Sequence, residues 1–155
     1  GKNTLEITGD ITGQSVGGAV KEAKISGQIE LGSADHDLNI RAGGASSDLV
    51  IAAGITGSGD LTKTGSGTLE YSGGVTERMT HTGTMTVNEG ALLLNKSSGP
   101  QILNTLTIGD GSGGQNADVV RFGASATSNG TIGRELIQAV ETEAARVPAV
   151  APAKK

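Results

Sequence analysis

Apolar side chains separated by one residue recur along most of the chain: Leu5 and Ile7, Ile29 and Leu31, Leu38 and Ile40, Leu49 and Ile51, Leu69 and Tyr71, Met85 and Val87, Leu92 and Leu94, Leu106 and Ile108, Val120 and Phe122. A period of two marks a strand with one face buried and the other in water. Turn-forming residues stand between nearly all of these pairs: "SGQ" (26–28), "AGGAS" (42–46), "GSG" (57–59), "GSG" (65–67), "NEG" (88–90) and "GDGSGG" (109–114). Glycine supplies the positive φ angles that a Cβ makes costly. The pattern predicts an all-β body over residues 1–133.

Short strands at this spacing suit a sandwich, a barrel or a solenoid, and periodicity does not choose among them. Composition favours the solenoid. The 155 residues include 26 glycines but one Tyr, one Phe and no Trp. A sandwich of this size usually fills its centre with large aromatic rings, whereas a parallel β-helix stacks like aliphatics from coil to coil. The pairs Leu49/Ile51, Leu69/Tyr71 and Leu92/Leu94 also recur at separations of 20 and 23 residues, a suitable length for one coil. In "SGTLEYSG" Leu69 and Tyr71 are expected to face inward and Thr68, Glu70 and Ser72 outward.

After Gly133 the glycine and threonine pattern stops. "RELIQAVETEAARV" places Leu136, Ile137, Val140, Ala144 and Val147 on one helical face, which predicts a short amphipathic helix over 134–147. A solenoid end needs covering, so this helix is read either as a cap on its own last coil or as a docking element for a neighbour. "PAVAPAKK" (148–155) reads as an extended Ala/Pro/Lys tail.

A formal charge of −4, with twelve Lys and Arg scattered along the chain, argues against a nucleic-acid partner. Cysteine is absent, which excludes a disulfide framework and thiolate chemistry. No apolar run approaches the roughly 18 residues of a membrane-spanning helix. "GKNTLEITGD" has neither an initiator methionine nor the pattern of a signal peptide, so the chain is expected to be a processed product or a fragment.

Candidate chemistry is sparse. "ADHDLN" (34–39) brings together Asp35, His36 and Asp37, the residue types of acid/base or metal chemistry. Adjacent strand residues point to opposite faces, so these three converge only in a loop, and a solvated turn is expected. His81, isolated among threonines, reads as a surface imidazole. "GDGSGGQNAD" (109–118) resembles the Gly/Asp calcium turns of other solenoids through Asp110 and Asp118, but it is a single copy without their regular spacing and is read as a flexible turn. Thr62 and Thr64, and Thr80, Thr82, Thr84 and Thr86, alternate as in an ice-binding ladder, yet the pair is not repeated at Leu38–Ile40 or Leu49–Ile51. No catalytic, cofactor-binding or metal residue is assigned, and no cofactor is expected.

One stretch carries a resemblance. Leu61, Lys63, Gly65, Gly67-Thr68-Leu69, Ser72-Gly73, Thr82-Gly83, Thr86-Val87, Gly90 and Leu92, within 59–95, resemble the passenger-associated repeat of bacterial autotransporter proteins. His81 departs from it by standing where the family has an aromatic residue, and "GVTERM" (74–79) replaces an Asn-rich approach. The resemblance implies a right-handed parallel β-helix in a secreted or cell-surface protein of a Gram-negative or related bacterium, and it implies no reaction. The expectation is therefore a non-enzymatic structural or adhesive segment, a subunit of an extracellular filament or matrix. It would form a homo-oligomer by end-to-end stacking, with residues 134–155 bridging copies, and would contact cell-surface or matrix polysaccharide. The rival is a polysaccharide-binding or polysaccharide-degrading β-helix, distinguished by a cleft holding two or more carboxylates or calcium.

Overall fold

A computed structural model describes residues 3–16, 21–109, 118–126 and 137–139. Successive strands alternate between two sheets. The first holds β1 (Thr4–Glu6), β3 (Ala23–Glu30), β5 (Leu49–Thr56), β7 (Thr68–Tyr71), β9 (Ala91–Leu94) and β11 (Val119–Phe122) in that spatial order. The second holds β2 (Ile11–Gln14), β4 (His36–Arg41), β6 (Leu61–Thr64), β8 (Met85–Val87), β10 (Leu106–Ile108) and β12 (Ile137–Ala139). Among the described residues every strand pairing is parallel and joins a strand to the one two places along the chain. The protein is a parallel β-solenoid in which each coil gives one strand to each sheet.

Register follows the apolar pairs. Leu49 stacks on Leu69, Leu69 on Leu92 and Leu92 on Val120, while Ile51, Tyr71, Leu94 and Phe122 form the adjoining column. The separations of 20 and 23 residues seen in the sequence are these stacking offsets. In the second sheet Leu61, Met85 and Leu106 stack in one column. The inward faces of both sheets meet in a core that includes Ile29, Ile40, Ile55, Leu69, Tyr71, Met85, Leu92 and Leu106. Each buried aliphatic contributes about 1.5–3 kcal/mol, enough together to offset the entropy of ordering a glycine-rich backbone only when coils stack. Thr68 and Glu70 lie on the half-buried outer side, as the alternation requires.

The coils meet closely at one corner. A Cβ built on Gly59 would overlap the carbonyl of Ala34, and one on Gly83 would overlap the carbonyl of Gly59. Glycine is required there by backbone approach, since neither residue has a positive φ.

Several expectations are corrected. "SGQ" is not a turn: β3 runs through it, and Gly27, at φ 109°, keeps register with Ala53. β2 and β6 escaped the apolar-pair pattern because their inward positions hold Gly13, in register with Ile40, and Lys63, in register with Leu38. The helix predicted over 134–147 is not shown. Ile137–Ala139 instead form β12, whose backbone continues the ladder beyond β10 and so favours extension over the local 3.6-residue pattern. The remainder of that span, and the 148–155 tail, lie outside the described residues.

Candidate functional site

The groups singled out for chemistry do not converge. His36 opens β4 and is buried, on the inward face with Leu38 and Ile40, while Asp35 and Asp37 are exposed. The solvated turn expected there is therefore corrected: alternation along β4 carries the ring inward, where Nδ1 lies 2.9 Å from the Gly9 carbonyl and Nε2 2.9 Å from that of Leu31. His81 is likewise buried instead of facing solvent, with Nε2 2.7 Å from the Gly59 carbonyl. Aspartates here hold neighbouring coils through carboxylates that accept backbone N–H groups. Asp35 accepts the Asp60 N–H at 2.8 Å, and the Asp37 N–H donates to Asp10 at 2.9 Å. Asp60 accepts the Thr84 N–H at 2.7 Å and so extends the same device by one coil.

Asp118 precedes β11, and Asp110 lies outside the described residues. Among the described residues, no group of three or more His, Asp and Glu is placed to hold a metal ion. Thr62, Thr86 and Thr107 form one column on the outer face of the second sheet, but Asp37 continues that column below Thr62 and interrupts it.

The strongest polar feature is one that the sequence did not advertise as a site. Lys63 occupies a core column between Leu38 and Val87, with its side chain fully buried. Its ammonium donates to the carbonyls of Thr64 (3.1 Å), Gly65 (2.8 Å) and Glu89 (2.8 Å), joining the turn after β6 to the turn after β8. Gly65 and Gly90 adopt φ of 76° and 70°, and a Cβ on Gly90 would lie 2.6 Å from the Gly65 carbonyl and 3.0 Å from the Lys63 ammonium. Burial pushes the Lys63 ammonium down to about 8, against the opposing attraction of Glu89, Asp48 and Asp118.

Lys96 repeats the arrangement elsewhere. Residues 72–78 leave the first sheet as an excursion, after which the chain rejoins β5 through the Thr80 N–H to the Ile55 carbonyl. The buried Lys96 ammonium fills the point of departure, donating to the carbonyls of Ala53 (3.1 Å), Ser72 (2.9 Å) and Glu77 (2.8 Å). Burial lowers its pKa, with Glu77 pulling the other way. Both lysines therefore supply donors to backbone carbonyls at the ends of strands and in the turns that follow them.

Carboxylates join three coils as well. The Ser15 hydroxyl donates to buried Asp48 at 2.6 Å, and the Gly43 and Thr68 N–H groups donate to the same carboxylate at 2.7 and 2.9 Å. Glu70 accepts from the Ser47 hydroxyl at 2.6 Å and from Asn95 at 2.8 Å. Buried Tyr71 donates to the Met85 sulfur at 3.7 Å, and burial raises its phenol pKa above the usual range.

A surface groove of about 450 Å³ lies between residues 74–80 and 98–103. No protein family, curated protein or solved structure matches this chain. Among the described residues no helix is long and apolar enough to cross a membrane.

Proposed function

We propose that the chain is a structural or adhesive β-solenoid segment with no reaction of its own, belonging to a secreted or cell-surface, autotransporter-like bacterial protein and joined end to end with further copies. The observation that carries this reading is that, among the described residues, core columns at opposite ends of the first sheet finish on exposed apolar side chains. Leu5, in register with Ile29, is 53% exposed, and Phe122, in register with Leu94, is 61% exposed. Terminal strands of this kind offer both unpaired backbone groups and apolar surface. A head-to-tail contact between them is heterologous and propagates as a filament when its rotation does not close. The bacterial surface setting is supported by the resemblance over 59–95.

Sedimentation velocity and electron microscopy of the full chain test the proposal. Linear assemblies are expected, and Phe122→Lys should leave monomers of unchanged thermal stability. A chain that stays monomeric at high concentration refutes the stacking. Cleavage of pectin, alginate or a similar polymer by the purified protein refutes the non-enzymatic reading.

A further inference from the structure

The groove between residues 74–80 and 98–103 combines features that the coil contacts do not use. Val75 is 73% exposed and Leu103 38% exposed, and with Met79 and Pro100 they give it aliphatic walls. Arg78 lines the same space, is exposed, and its guanidinium has no partner among the described residues. The Thr80 and Ser98 hydroxyls, also in the lining, make no hydrogen bond within the described residues. The volume falls in the range of small-ligand sites, about 300–1,000 Å³.

Charge chooses the sign of the occupant. The neighbouring carboxylate, Glu77, is turned back onto its own loop, accepting the Gly74 N–H at 2.9 Å and the Thr76 hydroxyl at 2.5 Å. Arg78 and the Lys96 ammonium beneath the loop thus stand against one carboxylate that is already engaged. On a chain of net charge −4 this is a local excess of positive charge. A planar guanidinium pairs best with a carboxylate, which it can bind through two parallel hydrogen bonds.

The walls narrow the choice further. They contain no aromatic residue, so a sugar ring has no flat face to rest on. A plain fatty acid would leave the two hydroxyls facing hydrocarbon, whereas a peptide brings its own amides to them.

We propose that this groove binds the C-terminal end of an aliphatic peptide, with Arg78 holding the terminal carboxylate and Val75, Met79, Pro100 and Leu103 receiving the last side chains. The site is independent of end-to-end assembly.

The test is an NMR titration of the full chain with acetyl-Ala-Val-Leu as the free acid, the same peptide as its amide, and octanoate. The acid should give saturable shifts at residues 74–80 and 98–103 and bind about tenfold or more tighter than the amide, the effect of one charge-assisted contact. Arg78→Gln, which removes no internal contact, should keep the wild-type melting temperature and abolish the difference between acid and amide. Equal binding of acid and amide, an unchanged difference in Arg78→Gln, or no saturable shift with the peptide overturns the proposal. Octanoate binding as tightly as the peptide overturns the peptide as occupant and assigns the groove to a lipid carboxylate.

Discussion

Replacing Lys63 with methionine separates the two opposing effects of burying its charge. The substitution keeps an unbranched stem of similar length between Leu38 and Val87 and removes the ammonium that donates to Thr64, Gly65 and Glu89. Three carbonyls then lose a charged donor, at about 1–3 kcal/mol each where water does not reach them. Against this, the variant escapes the desolvation that lowers the lysine from 10.5 to about 8. That shift corresponds to at most about 3 kcal/mol at neutral pH, and solvent screening at the turns it joins, where its hydrogen bonds are only part-buried, reduces it to about 1–2 kcal/mol. The carbonyl loss wins, and Lys63→Met should be about 2–4 kcal/mol less stable than wild type in urea unfolding at pH 7. pH supplies a second reading. Between about 8 and 10.5 the unfolded chain holds the Lys63 proton while the folded chain has released it, so the unfolded state binds more protons and wild-type stability rises with pH. The gap between wild type and variant should therefore widen across that window. A variant as stable as wild type at pH 7 would refute the bridging role and leave Lys63 as a charge that the fold merely tolerates.

Other expectations follow from the same contacts. Gly83→Ala drives a methyl into the Gly59 carbonyl and should cost about 3 kcal/mol in thermal unfolding, whereas Gly99→Ala, with open space around it but φ of 73°, should cost only about 1 kcal/mol. Leu92→Ala empties the middle of a column and should cost about 2–5 kcal/mol, and Leu69→Asp should abolish folding by circular dichroism; wild-type stability of either variant would refute the inward assignment. Lys96→Met should speed amide hydrogen exchange across residues 72–78 more than elsewhere, since its ammonium serves the point where that excursion leaves the sheet; uniform exchange would refute the assignment.

Legibility in the sequence tracked side-chain type. Leu49/Ile51, Leu69/Tyr71 and Leu92/Leu94 announced both strands and register because a parallel stack places like on like, and the spacing of like residues is then the coil length itself. β6 was hidden because its inward residue is a lysine, and no period of hydrophobicity registers a cation whose donors are all spent on backbone carbonyls. His36 and His81 were misplaced for a related reason: a polar ring among threonines and aspartates looks solvated until the carbonyls it meets are known, and these belong to residues 27 and 22 positions away for Gly9 and Gly59. The groove was invisible for the same cause. Val75 and Arg78 line one groove with Pro100 and Leu103 only because stacking brings segments of successive coils together.

Several of the residues singled out within 59–95 have coil-building roles. Leu61, Leu69, Val87 and Leu92 fill the core; Lys63, Gly65 and Gly90 build one bridged turn; Gly83 sits where backbones nearly touch. Any solenoid needing this turn and this corner would favour the same residue types, so the motif speaks first to architecture. What distinguishes one such protein from another must then lie where the coil has no use for the residue present. Arg78 is such a position, since no contact within the described coils uses its charge. It stands in "GVTERM" (74–79), where the repeat-like pattern of 59–95 lapses. The departure and the groove coincide because an excursion that leaves the sheet is released from the register that fixes the residues on either side.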